Sequence, residues 1–258
     1  MNNPTFSSQS DDSRLANGVP IVDACQISRR DPHRGLTLLQ PTDFALHPGE
    51  RAALTGPSGS GKSVFLRALA LLDPLDSGTI RWNGHAVPRA GIPRFRRHVA
   101  YLRQRPALLD GTVEDNLRYP YSLAVYRGEQ FNPVRIETLL AAAGRAADFL
   151  ARPASELSGG EAQIVALVRV LQLDPEVLLL DEPTASLDPD SVRAVETIVA
   201  AWFGSDPSRR ATIWVSHDRA QAARVGNRRL AMNAGALDDE AGAAHPAPLA
   251  SPVTGAAR

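Results

Sequence analysis

The chain has 258 residues with 28 basic and 28 acidic side chains, six histidines and one cysteine. That length holds one large domain or two small ones with a full core, and a net charge of zero supplies no basic field for nucleic acid. Cys25 has no partner for an internal disulfide, the histidines lack zinc-site spacing, and no apolar run reaches the ~20 residues a membrane helix needs.

These features predict a soluble protein suited to a reducing cytoplasm, with Cys25 as a small buried hydrophobe. In chain order, residues 1–18 are rich in Ser, Asn and Asp, lack a signal-peptide core and read as a disordered tail. Residues 19–235 alternate short apolar runs with helical patterns, which predicts an α/β sheet protein. Strands are expected at 21–27, 43–46, 51–54, 79–82, 99–102, 177–180, 212–215 and 229–232. Residues 236–258, rich in Ala, Gly and Pro, read as a second disordered tail.

Directly after the 51–54 run stands Gly56-Pro57-Ser58-Gly59-Ser60-Gly61-Lys62-Ser63, a Gly, four residues, then Gly-Lys-Ser, with Val64 opening an apolar helix. Lys62 is the one lysine in the chain; every other fixed positive side chain is arginine. A lysine ammonium is a point charge that fits between β- and γ-phosphates, where a planar guanidinium fork does not. The glycines let backbone N–H groups turn inward, the following helix adds the positive end of its dipole, and Ser63 offers a hydroxyl to Mg²⁺. A plain Gly/Ser surface turn would not need this lysine. The segment predicts nucleoside triphosphate binding.

From Ala86 to Leu109 no acid occurs, while Arg89, Arg94, Arg96, Arg97, Arg103 and Arg105 do. The segment reads either as a solvated basic face or as a docking surface for acidic headgroups or a permease loop. Residues 112–172 then show almost only helical patterns, with Asn132-Pro133 as N-cap and first turn of a helix running to Leu150. A helical lobe inserted between two sheet strands fits this stretch. Within it, Ser158-Gly159-Gly160-Glu161 opens another helix and forms either a second anion site or an ordinary cap. The apolar run Val177-Leu178-Leu179-Leu180 ends in Asp181-Glu182, and functional groups of open α/β sheets gather at such strand ends. Beside a phosphate loop, Asp181 suits Mg²⁺ and Glu182 suits an attacking water.

The phosphate loop, Gln104, Leu157-Ser158-Gly159-Gly160-Glu161, the strand ending in Asp181-Glu182-Pro183-Thr184, Ser186-Leu187-Asp188 and His217 follow one another in an order that resembles the ATP-binding-cassette (ABC) ATPases. The resemblance spans residues 19–235. It implies a P-loop NTPase sheet core with an inserted helical subdomain at about 112–172, and ATP with Mg²⁺ as ligands. It implies that residues 56–64 bind ATP, that Ser63, Gln104 and Asp181 attend the magnesium, and that Glu182, His217 and Gln104 serve the attacking water. Two cassettes would pair head to tail, with Ser158, Gly159, Gly160 and Glu161 of one reaching the ATP of the other and Asp188 at the interface. A multi-span permease on a separate chain would complete the transporter, placing this subunit on the inner face of the cell membrane.

Two departures stand out. The signature has Glu161 where Gln is usual and Ile164 where Arg is usual. The stretch Ser28-Arg29-Arg30-Asp31-Pro32-His33 lacks the aromatic residue on which adenine commonly stacks, which leaves Arg30 or His33 for that contact and does not choose ATP over GTP. The segment from Arg103 to Tyr121, with Asn116-Leu117 and Tyr119-Pro120-Tyr121, resembles the stand-alone iron-export ATP-binding subunits. The expected function is therefore ATP-driven export, of iron or another metal. The alternatives are an importer or lipoprotein-release ATPase, and a soluble cassette of iron–sulfur assembly.

Overall fold

The computed structural model describes residues 18–239. Two sheets carry the fold. The first, antiparallel, is ordered β2-β1-β4-β5 and built from β1 (Val22–Arg30), β2 (Thr37–Leu46), β4 (Ser77–Trp82) and β5 (His85–Ala86). The second contains β3 (Arg51–Thr55), β6 (Val99–Leu102), β7 (Val177–Asp181), β8 (Ala211–Val215), β9 (Arg228–Asn233) and β10 (Ala236–Asp239), in the order β10-β9-β3-β8-β7-β6. Its pairings are parallel from β9 through β6, and only the β9–β10 hairpin is antiparallel.

The period of two along a strand explains how one sheet serves two cores. Val177 and Leu179 of β7, with Ala211, Ile213 and Val215 of β8, face a core shared with the first sheet and with α1 (Lys62–Leu69). Phe65 on α1 meets Phe44 of β2 edge to face at 5.3 Å. Leu178, Leu180 and Trp214 point the other way, into a core built with α3 (Val113–Arg118), α4 (Pro133–Ala142), α5 (Gly159–Leu171) and α6 (Pro189–Ser205). Burial on both faces is why β7 reads as an unbroken apolar run. The other helices are α2 (Ile92–His98) and α7 (Arg219–Val225).

The eight expected strands are all present, with shifted ends. β1 continues to Arg30 past an irregularity at Gln26, and β2 begins at Thr37 although Pro41 interrupts it, which an edge strand tolerates. β10 extends the folded chain beyond the expected limit at 235, while residues 1–17 and 240–258, most of the expected tails, lie outside the described residues. Asn132 caps α4 by accepting from the Arg135 amide at 3.1 Å with Pro133 at the first position, but the helix stops at Ala142 instead of reaching Leu150. The Gly144 turn, at φ +68°, ends it, and a separate 3₁₀ turn at Ala147–Ala151 brings Phe149 into the core. Cys25 is half-buried rather than buried, with its thiol 3.5 Å from an Asp23 carboxylate oxygen. Burial and the Asp23 charge push its pKa up.

Candidate functional site

Four neighbouring parallel strands deliver the expected groups to one edge. The 56–63 loop follows β3, His217 follows β8, Asp181 and Glu182 end β7, and Gln104 lies two residues past β6. The register pairs Asp181 with Val215, so the acid pair and the Ser216-His217 turn leave the sheet side by side.

The phosphate loop is held from outside. Gly61 is the N-cap of α1 in a left-handed conformation (φ +106°), and a Cβ there would lie 2.7 Å from the Leu38 carbonyl oxygen. The turn between β9 and β10 clamps the other flank: the Gly235 amide donates to Ser60 O at 2.8 Å, and the Gln40 amide donates to Gly235 O at 2.8 Å. Inside the loop the Lys62 ammonium donates to the carbonyls of Gly56 (2.9 Å) and Pro57 (2.8 Å). Burial pushes the Lys62 pKa down, and the nearby carboxylates of Glu182 and Asp181 oppose that shift.

Ser63 Oγ donates to Asp181 Oδ1 at 3.0 Å, tying the loop to the acid pair. Asp181 Oδ2 accepts from the Tyr101 hydroxyl at 2.7 Å. Burial and this bond to a carboxylate push the Tyr101 pKa well up, so the phenol stays protonated and donating. The donors gathered here, one hydroxyl and one carboxylate, are hard oxygens. They fit a Mg²⁺ that keeps part of its water shell and binds substrate phosphate, and among the described residues no three-ligand protein cage competes with that arrangement.

Glu182 adopts φ +48°, a left-handed conformation that a side-chain-bearing residue holds only when its surroundings impose it. Its Oε1 lies 2.7 Å from His217 Nε2. Both side chains are partly exposed, His217 more than Glu182.

The signature residues form a second cluster. Ser158 caps α5 in a capping box, its Oγ accepting from the Glu161 amide (3.2 Å) while Glu161 Oε2 accepts from the Ser158 amide (3.0 Å). Arg152 (2.6 Å) and Arg145 (3.5 Å) pair with the Glu161 carboxylate. Burial opposes its ionisation, but the Ser158 and Arg152 hydrogen bonds outweigh burial and hold its pKa below the ordinary range. A Cβ on Gly160 would overlap the Ser191 side chain, so this helix start packs directly on the start of α6. Asp188 caps α6, accepting from the amides of Asp190 and Ser191 and from Ser191 Oγ (2.6 Å). Ile164 is fully buried in the helical core, which explains a hydrophobe where a charge is usual.

Arg30 and His33 sit at the end of β1 and in the turn after it, where their backbone amides donate to Asp76 (2.7 Å) and Asp31 (2.8 Å). Three of the six arginines between Arg89 and Arg105 act within the chain. Arg96 donates to the Ala70 and Leu71 carbonyls, Arg97 donates to Val125 O (3.0 Å) and Glu129 (2.7 Å), and Arg94 lies over Trp82. The stretch is thus partly internal scaffolding. The Asn116 amide likewise holds the Leu109 and Thr112 backbone, and the Tyr121 hydroxyl donates to Gln172.

Nothing in the sequence marks Tyr101, which looks like an ordinary strand aromatic. Nor does any motif mark Gln221 on α7, which is 5% exposed and hydrogen-bonded to Thr184, Ser216 and Glu196.

A family model described as ABC transporter matches residues 39–185. Protein STAR1 of Oryza sativa subsp. japonica is 38% identical over 206 residues, 80% of this chain and 58% of that protein. Probable iron export ATP-binding protein FetA of Escherichia coli (strain K12) is 36% identical over 182 residues, 70% of this chain and 79% of that one. Other relatives of similar identity are named for import of sulfate and thiosulfate or of phosphate. The chain spans about six-tenths of the length of several of these relatives. Among solved structures, the ATP-binding cassette MJ0796, a dimer bound to ADP and Pi, superposes with a TM-score of 0.72 at 23% identity, over 84% of this chain and 98% of that one. The fold, the matched segment and the relatives agree: the chain belongs to the ABC transporter family and carries that family's ATPase domain.

Proposed function

We propose that this chain binds and hydrolyses ATP as the energising subunit of a transporter whose membrane permease is a separate polypeptide. The observation that supports it best is the convergence of Lys62, Ser63, Asp181, Glu182 and His217 at the carboxyl ends of adjacent strands. The loop amides and Lys62 bind the β- and γ-phosphates. Ser63 and Asp181 would hold Mg²⁺, with Gln104 beside them, and the ion supplies positive charge against the phosphate oxygens when bound. Glu182 orients and deprotonates the attacking water. His217 fixes the Glu182 carboxylate and reaches toward the γ-phosphate. Arg30 and His33 are the proposed contacts to the base.

The second anion site, Ser158 to Glu161, serves the ATP of another copy in a head-to-tail dimer, with Asp188 at the interface. Residues 19–239 form the cassette, and 112–172 its helical subdomain. No helix among the described residues is long and apolar enough to cross a membrane, which suits a subunit docked peripherally on the cytoplasmic face. Export, of iron or another metal, is the proposed direction; the likeness to a relative named for iron export supports it, while relatives of similar identity are named for import.

Glu182→Gln keeps the shape of the side chain and removes its charge. It should retain ATP binding, lose turnover by on the order of 10²–10⁴, and accumulate as an ATP-dependent dimer in size-exclusion chromatography. Adding Ser158→Arg should return it to a monomer that still binds nucleotide. Turnover at the wild-type rate in Glu182→Gln would remove Glu182 from the chemistry. Undiminished dimerisation of the double variant would reduce Ser158 to a helix cap.

A further inference from the structure

The contact between Glu182 and His217 joins two partly exposed side chains, and exposed pairs contribute little to holding a geometry. Beneath it lies a buried polar network that connects the same two turns. Thr184, two residues past Glu182, and Ser216, immediately before His217, are 9% and 4% exposed. Both meet the side-chain amide of Gln221. Ser216 Oγ donates to Gln221 Oε1 at 2.8 Å, and Gln221 Nε2 donates to Thr184 Oγ1 at 3.0 Å. Gln221 Nε2 also donates to Glu196 Oε1 on α6 at 2.8 Å, and Arg224 pairs with that carboxylate at 3.0 Å.

Because an ionised carboxylate only accepts, Glu196 decides which way the amide faces: nitrogen toward Glu196, oxygen toward Ser216. The amide thus joins both turns and Glu196 at once: its oxygen accepts from Ser216 and lies 3.2 Å from Thr184 Oγ1, while its nitrogen donates to Thr184 and to Glu196, a donor that a carboxylate in its place would lack. The left-handed backbone at Glu182 requires an external restraint, and Thr184 is where the buried network grips that turn.

We infer that Gln221 is a positioning residue for ATP hydrolysis, holding the turns of Glu182 and His217 at the separation the water-activating pair needs. The inference rests on the ATPase reading above. It extends the functional unit to α7 and to Glu196 on α6.

The test compares the full-length wild type with Gln221→Glu, Glu196→Gln and the double variant in steady-state hydrolysis of Mg-ATP. Gln221→Glu sets two carboxylates against each other and loses the donor to Thr184. Its kcat should fall by on the order of 10²-fold, the cost of a small misplacement, while KM for ATP stays within about twofold. In the double variant the new amide on α6 donates to the new carboxylate on α7, which accepts from both hydroxyls, so kcat should return to within about threefold of wild type. A Gln221→Glu kcat at the wild-type value would overturn the inference. So would a loss that the second substitution does not restore, or one that appears in KM alone, since each marks a merely structural residue. Should Gln221→Glu fail to fold, Gln221→Met deletes all of these hydrogen bonds without adding charge and must show a fall in kcat of the same order at unchanged KM. A wild type that binds ATP but never hydrolyses it would sink the ATPase reading itself, and that result is seen before any variant is compared.

Discussion

Lys62 illustrates how a single residue can be indispensable to a ligand and dispensable to the fold. Its ammonium is buried, yet its hydrogen bonds go only to two carbonyls of its own loop. The loop itself is gripped by Gly235, which Gln40 holds in turn, and by the close approach of Leu38, none of which involves the lysine side chain. Lys62→Ala should therefore fold with a near-native melting temperature and lose the stabilisation that Mg-ATP gives the wild type. For a ligand bound only to the native state that stabilisation is about 2.7 kcal/mol at a hundredfold excess over Kd. Differential scanning fluorimetry with and without Mg-ATP reads it directly, and an undiminished shift in the variant would refute the role. Ser158 differs, because its hydroxyl caps α5 as well as facing the proposed partner. Removing it costs about 1 kcal/mol as a cap alone, so the dimerisation test relies on the bulk of arginine and not on loss of the hydroxyl.

At the scale of elements, α5 shows why a family pattern can be broken without loss of structure. Ile164 is fully buried in the core that also holds Leu102, Leu178 and Leu180, so the start of the signature helix is anchored in the helical core by packing. Ile164→Ala should cost about 2–5 kcal/mol in urea denaturation, the range for deleting a buried aliphatic side chain, with ATP affinity unchanged because the phosphate loop lies on the other core. A change below about 0.5 kcal/mol would mean that the site collapses freely or is not core. Much of this architecture was legible in the sequence. β7 and β8 are apolar on both faces, the Asn132-Pro133 cap is a local signal, and a lone lysine among glycines has few other uses. The missed pieces had physical reasons to be hidden. Polar residues mask the outer half of β1, and polar residues with Pro41 mask that of β2, where the edge location permits the proline. β10 follows a two-residue turn, Ala234-Gly235, with both residues at positive φ, a conformation that alanine does not advertise. Gln221 carries no pattern at all, since its partners are 5, 25 and 37 residues away and only the fold assembles them.

Across the whole molecule, the short turn before β7 makes polar contacts to the first sheet, the second sheet and the helical lobe alike. Glu176 accepts from Trp82 Nε1 of the first sheet at 3.1 Å and contacts His98 Nδ1, at the edge of the second, at 3.1 Å. Two residues earlier, Asp174 meets Arg135 of the helical lobe (3.2 Å) and Arg209 and Arg210 ahead of β8 (both 2.6 Å). Burial opposes ionisation of both acids. For Glu176 the bonds from His98 and Trp82 outweigh it, and for Asp174 the bond from Arg209 and the three arginine charges do, so both pKa values fall below their ordinary range. A depressed carboxylate contributes stability above its unfolded pKa and loses it as pH falls through the folded value. The junction should therefore be intact at neutral pH and weaken from about pH 4.5 downward, where these acids begin to bind protons in the unfolded chain. Asp174→Asn with Glu176→Gln should lower the urea midpoint at pH 7 yet lose less of it between pH 5 and pH 3.5 than the wild type does. Parallel curves for the two proteins over that interval would show that the acid-labile link lies elsewhere.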